Sequence, residues 1–552
     1  MQKIGILVVG AAIGASCLFY SFKDPYFEIS KNLDIFTTLY REVNTFYVDE
    51  VDPGSVMKKA IDAMLKELDP YTVYISEADI EDFRVQTTGS YGGIGAIIRQ
   101  AGDYVLISEI YEGAPADKAG LIPGDKLLKV NGKKVKGKTT SEVSEVLKGQ
   151  PGTSLELGIQ RINKDKELTV EIIREEIKIK SIPYAGMIND ETGYILLRSF
   201  TRNCAKEVKE AFLDLKKNHG MKSLVLDLRG NPGGLLDEAI KMCNIFISKG
   251  EEVVHTKGKL KEWQKSYKTQ FEPVDLEIPI VVLVNQGSAS ASEIVAGTLQ
   301  DLDRAVVIGK RTYGKGLVQQ TRPMPYNSQV KITTAKYYTP SGRCIQALDY
   351  SNRNEDGSVG KTPDSLRNPF ETRNHRLVYD GGGVDPDRVV KQDEYGNIIL
   401  SLLNKQLIFD FSNQFASENS EISSVENFDI DDPIFNSFKS YLEGKDYKYE
   451  TGTEELLKAL KETAEAEKYF EDIKQTYEQL SIDLKSNKRN DLDKYRSQIN
   501  EFLLTEIVSR YYYQKGAIQV GLKRDPFVLE ASSTLNNQDL YKSILSDPKV
   551  KK

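Results

Sequence analysis

Between Asn285 and Gln320 the chain reads NQGSASASEIVAGTLQDLDRAVVIGKRTYGKGLVQQ, and few architectures can hold such a segment. The apolar run Ile280–Val284 just before it predicts a buried strand. A serine cluster then opens a helix, Ala305–Ile308 predicts a second strand, and a glycine loop follows with a lone lysine, Lys315, between Gly314 and Gly316. Strand, helix and strand in so short a span belong to an α/β layer, whose sites form on the loops at strand ends.

The same alternation covers residues 177–391. Tyr194–Leu197 reads as a strand and Ala205–Lys217 as an amphipathic helix. Ser223–Leu228 reads as a buried strand ending in Arg229-Gly230-Asn231-Pro232-Gly233-Gly234, with a helix expected from Leu235 to Ser248. A further strand, Val330–Tyr338, ends in TPSGR.

Around this core the character changes. Residues 24–82 read as a helical arm, with Leu33, Phe36, Leu39, Tyr40, Val43 and Phe46 at helical spacing. A second helix there, Gly54–Leu68, is closed by Asp69-Pro70. Residues 83–176 show short alternating strands and frequent glycines: Ala96–Ile98, Val105–Ile107, Ser154–Gln160 and Leu168–Arg174, with a helix at Thr140–Leu147. From 392 to 552 the chain is charged and helical. Leu457 to Leu484 carries apolar residues at three- and four-residue steps, and a helix at about Asp491–Tyr513 follows a polar turn, so a helical hairpin is expected. That extension reads as a packing or homodimerisation appendage, with a substrate-gripping arm as the sharper alternative.

The segment Ile4–Phe22 carries no charge, long enough to span a bilayer and equally compatible with a signal peptide. Residues 1–23 are therefore expected to be a signal peptide or membrane anchor, and the body to be exported, periplasmic or otherwise extracytoplasmic. Four cysteines, one of them Cys17 in this segment, indicate no disulfide framework; Cys204, Cys243 and Cys344 read as small core residues. A net charge of -7 without a basic stretch argues against nucleic-acid binding. The sequence has three histidines and neither an HExxH nor a CxxC motif, so a zinc site is not indicated and any serine chemistry needs a base other than a nearby histidine.

Two constellations carry the chemistry. Ser290-x-x-Glu293 fits a capping box, a purely structural reading; a serine at a helix N-terminus also has unpaired N–H groups beside it that suit an oxyanion. Gly309 to Lys315 fits the spacing of a phosphate-binding loop. Its next residue, however, is Gly316 where a hydroxyl is needed, and the loop runs into strand-like Leu317-Val318 rather than a helix. A lysine acting as a general base must have its pKa lowered from about 10.4 towards about 7–8, which burial achieves by disfavouring the charged form.

The stretch APADKAGLIPGDKLLKVNG within residues 83–176 resembles a PDZ domain, and Tyr91, Gly92, Gly93, Ile94 and Gly95 sit where that domain's carboxylate-binding loop falls. A glycine turn aims successive N–H groups at an anion while the neighbouring strand accepts a peptide by edge addition. LRGNPGG, NQGSASASEI, RTYGKGLVQ and TPSGR, with Lys315 placed 25 residues after Ser290 (315 − 290), identify the chain as resembling the C-terminal processing (tail-specific) serine proteases over roughly residues 30–391. The resemblance implies a crotonase/ClpP-like α/β core of 177–391 beside the PDZ domain. It further implies Ser290 as nucleophile, Lys315 as base, Gln319 as the residue orienting the lysine, and an oxyanion hole from the N–H of Ala291 and of Gly233 or Gly234. Substrates would be proteins or peptides with exposed apolar C-terminal tails, and no metal or organic cofactor would be needed. The alternative is a catalytically inactive PDZ scaffold. Asp69-Pro70-Tyr71-Thr72 departs from the family pattern in the arm, and the 392–552 extension exceeds the shorter members.

Overall fold

A computed structural model of the chain describes residues 25–546 apart from 165, 355, 392, 393 and 489. The expected signal peptide or anchor lies outside the described residues, among which no helix is long and apolar enough to cross a membrane. Contacts divide the chain into two units, Met1–Tyr74 and Ile75–Lys552.

In the first unit, α1 (Pro25–Phe46) is followed by α2 (Pro53–Lys66). Asp52 caps α2, accepting the Gly54 N–H at 3.0 Å with Pro53 at the first helical position, where a missing N–H costs nothing. The stop after α2 has a specific cause: Asp69 Oδ1 accepts the N–H groups of both Tyr71 and Thr72 at 2.8 Å. Val73–Ile75 is a short strand, not the helix expected across 30–82; its β-branched and aromatic side chains favour extended backbone.

In the second unit a helix at Ile80–Thr88 leads into β1 (Ser90–Gly93), which is followed by β2 (Ala96–Ala101), β3 (Tyr104–Ile110), β4 (Lys126–Val130), α3 (Thr140–Leu147), β5 (Ser154–Gln160), β6 (Leu168–Ile173) and β7 (Glu175–Lys178). The main sheet here has the order β2-β3-β4-β5-β6, so β2 is an edge strand; β1 pairs with β7 separately. Alternating strand residues such as Val105, Ile107, Leu155, Leu157 and Ile159 point inward and form the core under α3.

The α/β body follows, in the order β8 (Tyr184–Met187), β9 (Thr192–Leu196), α4 (Cys204–Asn218), β10 (Ser223–Asp227), α5 (Leu236–Cys243), β11 (Glu252–Gly258), β12 (Lys265–Lys268), β13 (Ile280–Val284), α6 (Ala291–Asp301), β14 (Val306–Gly309), β15 (Leu317–Met324), β16 (Ser328–Tyr338) and β17 (Arg388–Val389). The central sheet runs β8-β9-β10-β13-β14-β17, with β9 to β17 parallel. Every residue of β9, β10, β13 and β14 is buried, as a parallel sheet covered on both faces requires. A smaller antiparallel sheet joins β15 to β16, β16 to β11 and β11 to β12. Helix α5 stops at Cys243, short of the expected Ser248, because the Asn244 side chain turns outward to the N–H groups of Gln270 and Phe271. Ile245, Phe246 and Ile247 still reach the core from the turns that follow. Cys204 and Cys243 are buried and Cys344 is half-buried.

After β17 come α7 (Asn397–Asn404), α8 (Leu407–Glu418), α9 (Gly452–Ala466), α10 (Phe470–Lys488), α11 (Arg496–Leu522), α12 (Pro526–Asn536) and α13 (Gln538–Ser546), with two further helices, Asp432–Tyr441 between α8 and α9 and the single turn Asp491–Lys494 before α11. The hairpin is made by α9 and α10, not across the polar turn near 488–490. Lys468 takes φ 66° between them and breaks the run that periodicity alone would continue. Helix α11 is itself interrupted at Tyr512 and Tyr513.

The 392–552 stretch does two things. Helices α7, α8 and α11 share a core of their own built on Ile399, Phe411 and Ile507. Helices α12 and α13 instead lie on the central sheet, where Phe527, Val528, Ala531 and Ile544 pack on Val225, Val281, Leu283 and Val306. The opposite face of that sheet is covered by α4, α5 and α6.

Candidate active site

Three adjacent parallel strands, β10, β13 and β14, deliver three loops to one end of the sheet: Arg229–Gly234, Asn285–Ser290 and Lys310–Gly316. The C-terminal edge of a parallel sheet is where α/β folds place their sites.

Asn231 ties the first loop to the second. Its side chain donates to the Leu197 carbonyl at 2.9 Å and accepts the Gly233 N–H at 2.9 Å, while its carbonyl accepts Ala289 N–H and the Ser292 hydroxyl. Gly233 has φ 98°, and a Cβ there would stand 2.8 Å from Ser290 Cβ and 2.9 Å from Ala291 N. Only glycine permits that approach. At Gly234 a Cβ would meet the Phe200 carbonyl oxygen at 2.4 Å.

The three serines of the cluster separate by environment. Ser288 and Ser292 are fully buried, and their hydroxyls donate to the carbonyls of Leu228 and Asn231. Ser290 is partly exposed and sits at φ 54°, ψ −115°, a region costing a non-glycine residue about 1–3 kcal/mol. The strain is maintained by bonds on both sides of the residue. Its N–H donates to Glu293 Oε2 at 2.8 Å, the expected capping-box contact, and its carbonyl accepts from the Glu293 N–H at 2.8 Å and the Tyr337 hydroxyl at 3.1 Å. The Ala291 N–H makes no hydrogen bond among the described residues.

The lysine loop is fixed along its backbone. Tyr313 N–H donates to the Ser288 carbonyl at 3.0 Å, Gly316 N–H to Gln346 Oε1 at 2.8 Å, and Ala347 N–H to the Gly314 carbonyl at 2.9 Å. Lys315 itself is half-buried rather than interior. Gln319 lies on β15 opposite Thr333, and its Nε2 donates to Thr333 Oγ1 at 3.2 Å. The loop after Gly314 leads into strand β15, so the phosphate-loop geometry is absent here.

Sequence reasoning saw Glu293 only as a helix cap. It is fully buried and reaches well beyond its own helix: Oε2 also accepts the Lys315 N–H at 2.9 Å, and Oε1 accepts the Thr312 hydroxyl at 2.6 Å and the Gly314 N–H at 2.7 Å. Burial pushes its carboxyl above the ordinary range, and these donors oppose that shift. Tyr337 was missed as well; its buried hydroxyl donates to the Lys315 carbonyl at 2.6 Å, and burial followed by the Glu293 charge raises its pKa. A buried acid and a buried phenol whose partners lie on distant loops leave no spacing signal.

The PDZ-like layer stands apart from these loops. Of its expected carboxylate loop, Tyr91 to Gly93 belong to strand β1, Ile94 is buried, and Gly95 turns at φ 73° into the edge strand β2. Helix α3 flanks β2. Gln406, between α7 and α8, donates to the Gln100 carbonyl of β2 at 3.2 Å. Among the described residues no group of three or more His, Cys, Asp or Glu side chains is arranged to hold a metal ion.

Residues 191–351 match peptidase family S41, residues 106–161 a PDZ domain, and residues 398–535 the C-terminal helical domain described for PDZ-proteases. The chain is 38% identical over 321 residues to a carboxy-terminal-processing protease of Bartonella bacilliformis, covering 58% of this chain and 73% of that protein. The chain belongs to the carboxy-terminal-processing proteases. These are serine peptidases of family S41, and the layers described above are the family's peptidase core, PDZ domain and helical C-terminal domain. A CtpA-like serine protease of Staphylococcus aureus is 42% identical over 317 residues, with 57% of this chain and 62% of that protein covered. Among solved structures, a photosystem II D1 C-terminal processing protease matches at 27% identity and a TM-score of 0.36, over 64% of this chain and 92% of its own.

Proposed function

We propose that this protein is an exported endopeptidase that cuts proteins near their C-terminal tails, with Ser290 and Lys315 as its catalytic dyad. The observation that carries the reading is the convergence of the serine, glycine and lysine loops from three neighbouring strands, with Ser290 alone of its cluster partly exposed and backbone-strained. The crotonase/ClpP-like description of the core belongs to the same reading. Export rests on the uncharged Ile4–Phe22 segment.

In this mechanism the neutral Lys315 amine takes the Ser290 proton as Oγ attacks the scissile carbonyl. The oxyanion is met by the Ala291 N–H at the start of α6, where the helix dipole adds to the stabilisation. Its second donor is the Gly234 N–H, because the Gly233 N–H is already given to Asn231. Collapse of the intermediate passes the proton from the lysine to the leaving amine and leaves an acyl-serine; water, deprotonated by the same lysine, releases the acid. Gln319, held at its Nε2 by Thr333, offers Oε1 to orient the lysine. The substrate's tail adds as a strand to the edge of β2 beside α3, its carboxylate taken where the Tyr91–Gly95 stretch leaves strand β1 and turns at Ile94 and Gly95 into β2.

The test is cleavage of a protein with a disordered, apolar-ended tail by the parent, Ser290→Ala and Lys315→Ala. Activity in the parent alone, with all three folded, supports the dyad. An active Lys315→Ala removes lysine from the mechanism, and a folded but inert parent that still binds tails favours the scaffold reading.

A further inference from the structure

The Ser290 and Lys315 loops are 25 residues apart in sequence (315 − 290), yet their peptide groups end on the same two side chains. Glu293 Oε2 accepts the N–H of Ser290 at 2.8 Å and of Lys315 at 2.9 Å. The Tyr337 hydroxyl lies 3.1 Å from the Ser290 carbonyl and 2.6 Å from that of Lys315. Both side chains are buried, and each comes from an element outside the two loops' tips: Glu293 from the first turn of α6, Tyr337 from the end of β16.

From this arrangement we infer that Glu293, as a carboxylate, is a positioning residue that sets the separation of nucleophile and base, with Tyr337 as its counterpart on the carbonyl side. The inference rests on the dyad reading and assigns these two side chains a part in it.

The anionic state follows from the donors. Ser290, Lys315 and Gly314 contribute N–H groups that cannot accept a hydrogen bond. Thr312 Oγ1 accepts the Val384 N–H at 2.7 Å and donates its own hydrogen to Glu293 Oε1 at 2.6 Å. Each carboxylate oxygen receives two donors; Oε2 meets only N–H groups, and Oε1 meets one N–H and the Thr312 hydroxyl, a set that opposes the upward push of burial and favours the charged form. An amide cannot replace this: wherever its NH₂ lies, it faces at least one N–H. Tyr337, kept protonated by burial, supplies the only hydroxyl reaching both carbonyls among the described residues.

The test compares Glu293→Gln and Tyr337→Phe with the parent, Ser290→Ala and Lys315→Ala, by melting temperature, steady-state cleavage and the rate at which a fluorophosphonate labels Ser290. The expected result for Glu293→Gln is a folded protein whose kcat falls about 100-fold with KM little changed, as for a displacement of about 1 Å. Labelling slows in parallel. Removing the negative charge beside Lys315 also moves the acid limb of the kcat/KM profile to lower pH, which loss of packing alone does not do. Tyr337→Phe, conservative in shape, is expected to lower kcat without moving that limb. Parent-like kcat in both variants, with Lys315→Ala dead, overturns the inference and leaves the dyad intact; an active Lys315→Ala overturns both. If Glu293→Gln melts below the assay temperature, Tyr337→Phe decides by the same kcat criterion.

Discussion

Ser290 and Lys315 donate their backbone N–H groups to one oxygen atom, Oε2 of Glu293, at 2.8 and 2.9 Å. The spacing of the proposed dyad is thereby set by backbone bonds to a buried anion, independently of where the two side chains point. The same bonds hold Ser290 at φ 54°. Glycine occupies that region without steric cost, so Ser290→Gly should melt above Ser290→Ala while both are inactive; the strain at stake is about 1–3 kcal/mol. Equal or inverted melting temperatures would show that the backbone is unstrained there.

Gly233 packs directly against the nucleophile's loop. Gly233→Ala must place a methyl 2.8 Å from Ser290 Cβ and 2.9 Å from Ala291 N while keeping φ 98°. Cleavage is expected to drop at least about 100-fold, since sub-ångström placement at the oxyanion donors governs the barrier. Active-site labelling alongside circular dichroism distinguishes this from unfolding.

TPSGR contributes structure. Its Arg343 is fully buried and donates to Asp301 at 2.7 Å and to Gln300 Oε1 at 2.7 Å, at the end of α6. Removing one partner of such a pair strands a buried charge and costs about 3–5 kcal/mol. Asp301→Ala should therefore lower the denaturation midpoint severely, whereas Asp301→Ala with Arg343→Met should recover a large part of the loss. No recovery in the double variant refutes the pairing as the cause.

Glu142 gives a pH prediction on the PDZ layer. The Thr139 N–H, then Lys138 and the Thr139 hydroxyl, hold its carboxyl down to about 2 against an ordinary value of 4.5. A depressed folded pKa means its stabilisation is present above about pH 4.5 and is lost as pH falls towards 2. Melting curves of the parent and Glu142→Gln should differ at pH 7 and converge as pH approaches 2; a constant gap would contradict the linkage.

Arg229 joins the first site loop to α12. It is paired with Asp227 and, at 2.7 Å, with Asp525, whose Oδ1 also caps α12 through the Phe527 N–H at 2.8 Å. Asp525→Ala removes a cap worth about 1 kcal/mol and one arm of the pair. It should lower the melting temperature and slow Ser290 labelling together. A fall in stability with unchanged labelling would separate the tail from the site.

The strands, the PDZ-like order and the loops bearing Ser290 and Lys315 were legible because each leaves a local mark: period-two alternation, glycines at turns, a serine run before a helix. Glu293 was legible only as a cap, since its bonds to Thr312, Gly314 and Lys315 depend on tertiary placement. Helices α12 and α13 were covered only by the general reading of a charged, helical extension, and helicity alone does not say which surface a helix is buried against. The hairpin was misplaced for a smaller reason: Lys468 adopts a left-handed turn with no glycine to announce it.

The packing of α12 and α13 on β10, β13 and β14 has a consequence in time. Val225, Val281, Leu283 and Val306 lie in the middle of the chain, yet the first residue of their cover, Phe527, is synthesised 221 (527 − 306) to 302 (527 − 225) residues later. A ribosome-bound chain that has reached β17 has every proposed catalytic residue, but one face of its sheet is uncovered and Arg229 is without Asp525. The order of synthesis thus leaves this apolar face bare to solvent until residues 526–546 have emerged, so the last helices to be made are the ones that close the sheet.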